Sequence, residues 1–456
     1  MPLEDFAPKN VVVQPDPGPT LSHCITADQL MISPNGLKYV GEIFTETGVG
    51  ATCTNKNTPT RYPLFNRHGA AEHTETLTNN GSRSVFSVVT RSGLVIKATA
   101  SQKLLTIDEA GWWVWKKLSD ISPGHHLTVN RSYGSGIGVV ADLSYDDLYF
   151  VGVTLADGHL GWNRILLCND DPVVQSAIVN YGTALIGKEP RIYARPGKTN
   201  SLGYYFNSKV NVERLYELLG WKRCNAAGKV LGPVLRRLNR DGIRAVLQGY
   251  FDCECSIDGS VIEVSSASKK LLSEVKVALL VHFGIVSILK EKCVPKYPEK
   301  EYWRLTLYGA EAESFLSNVG FRSEIRKKAC DGLRGRKRNP NLDSIPNVGG
   351  LVTAVCNSSE VDRALYRKVR DYMDRNTGDR TPFAKLTYQR LAEILAESWA
   401  ESLALERLRE IYVADYYYDE VISVSAMPAE PTFDFTMPLT NSYVLNGVVS
   451  RGATNR

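Results

Sequence analysis

The chain has 456 residues, 43% hydrophobic and 23% charged, so it is long enough for two or three domains with complete cores. It contains no run of about 20 apolar residues and no basic-then-apolar N-terminus, which argues against a membrane span and a secretory signal. Nine cysteines are scattered without a disulfide-like spacing, and the net charge is only +5. We therefore expect a globular protein in a reducing cytoplasm, that of a prokaryotic or phage-infected cell.

The chain begins with a Pro-rich stretch and continues with segments typical of β structure. Pro15 to Pro19 predicts an extended segment within residues 1–23. Cys24 is followed by a predicted strand and a turn at Asn35-Gly36. A second such block runs from Gly93 to Thr106.

Two nine-residue segments in the middle of the chain, FVGVTLADG and LQGYFDCEC, repeat each other. Each has a glycine, Gly152 or Gly249, five positions before an acid, Asp157 or Glu254. Without a side chain at the crossing, two helices can approach more closely than the usual 8–10 Å or so and present both carboxylates at their C-terminal ends. Such oxygen ligands suit Mg²⁺ and leave room for phosphate oxygens and water, which predicts metal-dependent phosphodiester cleavage. One copy alone is more simply an ordinary buried helix; two copies in the same register favour a site.

Each nonapeptide is followed by the same order of predicted elements. In the first lobe these are a strand at 164–168, a helix from a cap at Asp171 through Ile186, a hairpin of 191–195 and 204–206, and a helix at 212–219. In the second lobe they are a strand at 261–264, a helix from a cap at Ser268 through Phe283, a hairpin of 286–289 and 302–307, and a helix at 310–319.

Positive charge is concentrated downstream of each nonapeptide. Residues 186–240 hold 12 Lys and Arg against 3 Asp and Glu, and residues 286–340 hold 13 against 7. Two basic blocks in two repeated lobes indicate a two-lobed DNA-binding surface rather than solvated faces. The candidate DNA contacts are Arg191, Arg195, Lys198, Lys290, Lys292, Lys296 and Arg304.

Residues 331–405 form a further segment, which opens with a basic run. Apolar spacing predicts two helices in this part of the chain, over 361–373 and 386–408. The segment either braces the nuclease or lengthens its DNA footprint, and bracing is the simpler role.

The repeated nonapeptides resemble the motif of two-motif, single-chain LAGLIDADG homing endonucleases. The resemblance implies that each lobe has the order αββαββα and that both sheets lie in the major groove of a long, pseudo-symmetric double-stranded DNA site, read by a monomer. Asp157 and Glu254 would bind Mg²⁺, with Mn²⁺ as a possible substitute, at turns that include Gly158 and Cys255. Cys255 departs from the glycine that is usual in this family.

The family also places a basic residue near each carboxylate to stabilise charge at the scissile phosphates. By position, Lys229 resembles one of these residues. Lys327 or Lys328 resembles the other.

The flanking segments resemble the splicing blocks of an intein. Cys24 would be the attacking thiol, and Thr99 is present in the second block. Gln102 and Asn441 stand where histidines are usual, and Arg451 and Gly452 replace the terminal His-Asn pair. Glycine cannot cyclise and an always-protonated arginine is a poor proton shuttle, so we expect impaired splicing.

Together these resemblances predict a mixed fold, in which an all-β Hint splicing domain is split by an inserted α+β LAGLIDADG endonuclease. The expected segments are a host remnant (1–23), the N-terminal Hint part (24–145), the endonuclease (146–330, with lobes 146–240 and 241–330), its helical extension (331–405), the C-terminal Hint part (406–452) and a remnant (453–456). The predicted function is a site-specific, metal-dependent double-strand break in the intein-less host gene. The alternatives are an active self-splicing element with a vestigial nuclease, and a maturase-like module that binds nucleic acid without cutting it.

Overall fold

The computed structural model describes residues 23–49, 55–133, 136–161, 163–194, 202–332, 343–358, 367, 369 and 386–453. Arg195, Lys198 and most of the helix predicted over 361–373 lie outside these residues. Among the described residues, no helix is long and apolar enough to cross a membrane.

The strands and helices follow one another in the order expected for two repeated lobes between β-rich flanks. The strands are β1 (Ile25–Thr26), β2 (Leu30–Ser33), β3 (Gly36–Tyr39), β4 (Asn57–Pro59), β5 (Pro63–Phe65), β6 (Ala71–His73), β7 (Thr76–Thr90), β8 (Val95–Ala98), β9 (Lys103–Ile107), β10 (Trp113–Lys117), β11 (His126–Val129), β12 (His159–Leu160), β13 (Arg164–Asn169), β14 (Arg191–Ala194), β15 (Leu202–Asn207), β16 (Cys255–Asp258), β17 (Val261–Ser266), β18 (Ile288–Glu291), β19 (Trp303–Tyr308), β20 (Ser344–Ile345), β21 (Leu386–Thr387), β22 (Tyr417–Thr436), β23 (Ser442–Leu445) and β24 (Val448–Arg451). The α-helices are α1 (Val40–Glu46), α2 (Tyr145–Asp157), α3 (Pro172–Ile186), α4 (Lys209–Leu219), α5 (Pro233–Arg236), α6 (Arg240–Glu254), α7 (Lys269–Phe283), α8 (Ala310–Asn318), α9 (Glu324–Ala329), α10 (Gly349–Ser358), α11 (Tyr388–Leu395) and α12 (Leu403–Ala414).

Strands from both flanks of the chain form one large sheet. Its 12 strands run in the order β3-β2-β23-β24-β9-β11-β22-β1-β8-β7-β4, with β10 paired to β9. The 20-residue strand β22 pairs along most of the 15-residue strand β7. The sheet therefore needs both flanks, and the chain between them folds separately into two smaller sheets.

These two smaller sheets belong to two lobes with the same topology. The first lobe has the order α2-β12-β13-α3-β14-β15-α4 and the second α6-β16-β17-α7-β18-β19-α8. Their strand orders, β12-β13-β15-β14 and β16-β17-β19-β18, also correspond. The duplicated αββαββα order predicted from the sequence is therefore present in the structure.

The predicted caps fix where the long helix of each lobe begins. Asp171 Oδ1 accepts a hydrogen bond from the Val173 amide at 2.8 Å, and Ser268 Oγ accepts one from the Leu271 amide at 3.1 Å. Each side chain satisfies a helix N–H group that has no carbonyl partner inside the helix.

The helix predicted over 386–408 is wrong. Residues 386–387 are strand β21, and two helices follow, α11 and α12, separated by residues 396–402. Trp399 Nε1 donates to the Ile394 carbonyl at 2.6 Å, and Ser402 Oγ accepts from the Leu405 amide at 3.3 Å, so the chain turns between the two helices.

This helical segment packs against the large sheet. Leu105, Ile107 and Trp113 of the sheet share a buried core with residues of α10, α11 and α12. This core joins the segment to the sheet, and the bracing of the two lobes by the segment stays a prediction.

A buried polar cluster joins the first lobe, the second lobe and the large sheet. Arg236 is 3% exposed and donates two hydrogen bonds to the Glu42 carboxylate, at 2.9 and 2.6 Å. Glu274 of α7 lies 3.6 Å from the same guanidinium and accepts a hydrogen bond from the Tyr39 hydroxyl at 2.7 Å. The two lobes are thus held to the sheet through the buried Arg236 and Glu274, which contact the partly exposed Glu42 and the Tyr39 hydroxyl.

Candidate active site and nucleic-acid interface

Helices α2 and α6 cross at the two repeated glycines. A Cβ atom on Gly152 would lie 2.0 Å from the Val246 carbonyl oxygen, and one on Gly249 would lie 2.1 Å from the Tyr149 carbonyl oxygen. Both distances are far inside van der Waals contact, and both obstacles are backbone. The crossing therefore requires glycine at both positions, as the spacing of the two motifs predicts.

Asp157 and Glu254 are the last residues of α2 and α6. Burial raises the pKa of Asp157, opposed first by the Asn169 side-chain amide, which donates to Asp157 Oδ2 at 2.6 Å, and then by a hydrogen bond from the Cys253 thiol. Burial, followed by the charge of Asp157, raises the pKa of Glu254 to about 7. Because the charge of Asp157 opposes the ionisation of Glu254, a cation bound beside these carboxylates would be stabilised.

This donor set fits a hard divalent cation. Carboxylate oxygens are the ligands Mg²⁺ prefers, and it commonly takes one or two of them together with water and phosphate oxygens. Among the residues the structure describes, no group of three or more His, Cys, Asp and Glu is arranged to hold a metal ion. A metal at this pair would therefore complete its coordination from backbone, solvent and substrate.

One basic residue reaches the C-terminal end of each crossing helix. Lys229 Nζ donates to the carbonyls of Leu155 and Ala156, each at 2.8 Å. In the second lobe Arg326 Nε donates to the Asp252 carbonyl at 3.2 Å, and one of its terminal nitrogens donates to the Cys253 carbonyl at 3.4 Å. Asp157 and Glu254 are 97 residues apart. Adding 97 to positions 155, 156 and 229 gives 252, 253 and 326, so the three interacting residues correspond one by one in the two lobes.

The second-lobe residue equivalent to Lys229 in position and hydrogen bonds is therefore Arg326, which adjoins the predicted Lys327 and Lys328. Lys327 Nζ pairs with Glu324 at 2.7 Å on the exposed side of α9, and Lys328 is also exposed. The sequence signal that identifies Arg326 is the repeat itself, since applying the same offset to Lys229 gives position 326 and neither lysine.

The ends of the two motif helices differ at Gly158 and Cys255. Their backbones are similar, with φ −71° and ψ 126° at Gly158 and φ −78° and ψ 143° at Cys255. The Cys255 side chain is buried, and burial raises the pKa of its thiol to about 12. Cysteine thus takes the position without changing the turn.

Helix α9, which carries Arg326, is fixed by a carboxylate of α6. Asp252 Oδ2 accepts hydrogen bonds from the amides of Arg322 and Ser323, both at 3.1 Å, and from the Tyr149 hydroxyl at 2.7 Å. Because Asp252 lies two residues before Glu254, the same turn of α6 positions the basic residue and presents the acid.

The second sheet presents a charged, exposed face beside Glu254. Lys292 Nζ donates to Glu263 at 2.9 Å and to Ser265 Oγ at 2.8 Å, and Arg304 lies 3.7 Å from the other Glu263 oxygen. Lys290 is directly opposite Arg304 across strands β18 and β19. Three of the predicted DNA contacts thus lie on one face.

The other predicted contacts are more dispersed. Arg191 is exposed on the edge strand β14, opposite Tyr205. Lys296 is exposed in the turn between β18 and β19, 5.5 Å from the Tyr297 ring centroid. Arg195 and Lys198 lie outside the described residues.

The large sheet brings the two flanks of the chain together near Cys24. Cys24 is buried, and its amide donates to Thr99 Oγ1 at 3.3 Å. Gln102 Nε2 donates to the Arg451 carbonyl at 2.8 Å, so it occupies the junction with the last strand. Asn441 has φ 49°, in the left-handed region, and its carbonyl accepts a hydrogen bond from the Gly452 amide at 2.9 Å.

Sequence reasoning overlooked Asp434 at this junction. The Asp434 carboxylate is buried and accepts hydrogen bonds from the backbone amides of Phe435, Ala453 and His23, while burial raises its pKa. It thereby contacts both flanks of the chain. The strand that contains it is recognisable in the sequence, but its pairing with the first strand is a tertiary feature that local pattern does not report.

Comparison with known proteins finds a family model that matches the second lobe, and several relatives. Residues 241–320 match the model of the LAGLIDADG-like domain. The chain is 27% identical over 86% of its length to a replication factor C protein of Thermococcus kodakarensis, 22% over 97% to a DNA gyrase protein of Mycolicibacterium flavescens, and 23% over 82% to the replicative DNA helicase DnaB of Rhodothermus marinus. The matched regions are 43%, 78% and 40% of those proteins.

Two solved structures match parts of this chain with low TM-scores. The crystal structure of I-DmoI in complex with DNA and Mn is 12% identical with a TM-score of 0.30, covering 39% of this chain and 96% of that one. A DnaB intein from Synechocystis sp. PCC 6803 is 21% identical with a TM-score of 0.19, covering 24% and 70%. At these TM-scores the solved structures carry no argument, and the proposal of a function depends on the motifs and on the geometry of this chain.

Proposed function

We propose that this chain is an intein-derived homing endonuclease that makes a site-specific double-strand break in double-stranded DNA, with impaired protein splicing. The observation that carries the proposal is the repeated site geometry. Asp157 and Glu254 end two helices that cross at obligatory glycines, and Lys229 and Arg326 bind those helices at equivalent carbonyls. Each lobe thus supplies one carboxylate and one basic side chain, which is one such pair for each strand of a DNA duplex.

Asp157 and Glu254 would hold Mg²⁺, or Mn²⁺ in its place, which supplies an activated water and stabilises charge on the leaving oxygen. Side chains of the protein orient the carboxylates and place positive charge beside them. Asn169 donates to Oδ2 of Asp157 and thereby fixes the orientation of that carboxylate. Lys229 and Arg326 place positive charge beside the carboxylates, where negative charge develops on a cleaved phosphate.

The two four-stranded sheets supply the DNA-binding surface. Each has one face buried against helices and one face exposed, and a two-stranded ribbon fits the major groove. The lobes differ in sequence, so one chain could read an asymmetric site as a monomer.

Impaired splicing is supported by the groups at the junction of the large sheet. Gln102 has no ionisable proton to give to a leaving amide nitrogen, and Gly452 has no side-chain amide to cyclise. The Cys24 thiol remains, so slow cleavage before Cys24 is the residual chemistry that we expect.

The relatives support an inserted element. A replication factor, a DNA gyrase and a DNA helicase are different proteins by name, yet this chain matches part of each over most of its own length. A mobile segment within several hosts accounts for that pattern better than a shared host function does.

The first test is Mg²⁺-dependent cleavage of a plasmid that carries the uninterrupted host gene. Linear product is expected from the parent and absent from Asp157→Asn and Glu254→Gln, which keep shape but remove charge. Asp241→Asn is the matched control, because Asp241 lies at the opposite end of α6 and pairs with Arg244. Tight binding without a cut would favour the maturase-like module, and ligated flanks would favour an active intein.

A further inference from the structure

We infer that the second sheet reads a G·C pair close to the cleavage position through Glu263, Lys292 and Arg304, whereas the described first-sheet positions equivalent to Glu263 and Arg304, Leu166 and Gly203, carry no charged side chain. The inference rests on the proposed function. It specifies the chemical class of DNA sequence that the site takes and the side chains that select it.

The position of this cluster follows from strand register. Glu263 pairs across the sheet with Ser256, two residues beyond Glu254, and Ser265 pairs with Arg304. With strands about 4.8 Å apart, Arg304 lies on the order of 10 Å from the register position of Glu254. At about 3.4 Å per base step, the cluster would lie within roughly three base pairs of the metal site.

The carboxylate of Glu263 indicates whether the cluster binds DNA phosphates or base edges. A surface that binds phosphates gains from cations and loses from a carboxylate, because the like charge of the DNA backbone repels it. Glu263 nevertheless lies between Lys292 at 2.9 Å and Arg304 at 3.7 Å. An acid and a base held together on an exposed sheet face fit base edges, where glutamate accepts from the cytosine amino group and arginine or lysine donates to guanine O6 and N7.

The first lobe provides a contrast at equivalent positions. Leu166 corresponds to Glu263 and Cys168 to Ser265, each 97 residues earlier, and both lie at the same register of their sheet. Opposite Cys168 is Gly203, where Arg304 stands in the second lobe. A Cβ on Gly203 would lie 2.2 Å from the Tyr193 ring, so the aromatic ring covers this position.

At the positions of Glu263, Ser265 and Arg304, the first sheet therefore offers Leu166, Cys168 and the Tyr193 ring, while its charged residues Arg164 and Arg191 lie at other register positions. Apolar side chains in the major groove contact the thymine methyl group and carry no hydrogen-bond code for guanine. The recognised DNA should be asymmetric in composition, with G·C enriched near the cut in the half-site under the second lobe. The corresponding pairs of the other half-site should lack that enrichment.

Selection from a duplex pool with randomised central positions tests this, using the full chain with Ca²⁺ in place of Mg²⁺. The parent should enrich G·C at adjacent positions in one half-site. Arg304→Ala should reduce the preference for guanine at one position by tenfold or more, and Glu263→Gln should relax the neighbouring pair without weakening binding to unselected DNA. Lys296→Ala is the control, since a phosphate contact should weaken all sequences alike and lower the salt slope by about one.

The outcomes separate this inference from the proposed function. The parent could select a site and cut it without G·C enrichment, or the variants could weaken binding to all sequences equally, as Lys296→Ala should. In either case this inference fails and the proposed function stands. If the parent selects no sequence and cuts none, both fail. Unchanged thermal unfolding of each variant is required in either case, and exposed Arg304 and Lys296 should satisfy it.

Discussion

Replacing Gly249 by alanine should separate the two crossing helices and disable the nuclease. The added Cβ would lie 2.1 Å from the Tyr149 carbonyl oxygen, whereas ordinary contact begins at 3.4 Å, so one backbone must move by about 1 Å. An exposed helical glycine replaced by alanine gains up to about 1 kcal/mol. Here overpacking should outweigh this gain and give a net loss of about 1–3 kcal/mol in the free energy of unfolding. Displacement of the carboxylates by a similar amount should lower cleavage by about 100-fold.

Gly350 provides the matched control, because it is also helical and a Cβ there would meet nothing within 4 Å. Gly350→Ala should leave the unfolding midpoint unchanged or slightly raised and cleavage unchanged. The assay is thermal unfolding of both variants beside Mg²⁺-dependent linearisation of the target plasmid. If Gly249→Ala unfolded and cut as the parent does, close helix approach would not be what positions the two acids.

Three further predictions concern Glu254, the two basic residues at the helix crossing, and Gln102 at the junction of the large sheet. The folded pKa of Glu254, about 7, is above its ordinary value of 4.5, so its ionisation opposes folding increasingly as pH rises from 4.5 to about 7 and by a constant amount at higher pH. In chelator, Glu254→Gln should therefore raise the unfolding midpoint at pH 8 by a few degrees and change it little at pH 4, and equal midpoints at pH 8 would contradict the burial argument. Lys229→Met and Arg326→Met should each lower the cleavage rate at least tenfold while DNA binding by gel shift persists, whereas Lys327→Met should cut normally; the reverse result would return the role to the lysine. Between reporter flanks the parent should give no ligated product, and Gln102→His should increase thiol-induced cleavage at the first junction, measured by mass spectrometry; no increase would mean that another group limits that step.

The repeat made much of the nuclease predictable. The acids, the glycines and the capping residues Asp171 and Ser268 are local patterns, and the structure places the caps and the helix crossing as expected. Strand alternation also held, since Ile262 and Val264 are buried while Glu263 between them is partly exposed. These features depend on neighbours within a few residues, which is the range that periodicity and capping report.

Features set by long-range contacts were not predictable in the same way. The helix break between α11 and α12 depends on Trp399 turning back to the Ile394 carbonyl, which an apolar period does not reveal. Arg326 was missed because basic residues adjoin it, and charge alone does not rank them. Its geometric role depends on Asp252 holding α9, a contact between residues about 70 positions apart.

If splicing is impaired as proposed, the contacts between the large sheet and the two lobes give the sheet a structural role that does not depend on splicing chemistry. Arg236 and Glu274, 3% and 1% exposed, meet Glu42 of helix α1 and Tyr39 of strand β3, so two polar contacts tie the lobes to the part of the chain that carries the large sheet. Gln102, by contrast, bonds to backbone carbonyls within the sheet itself. Substitution there changes proton transfer at the junction and leaves every contact of this cluster in place. Selection for DNA cleavage would thus retain the sheet as a support without retaining its chemistry.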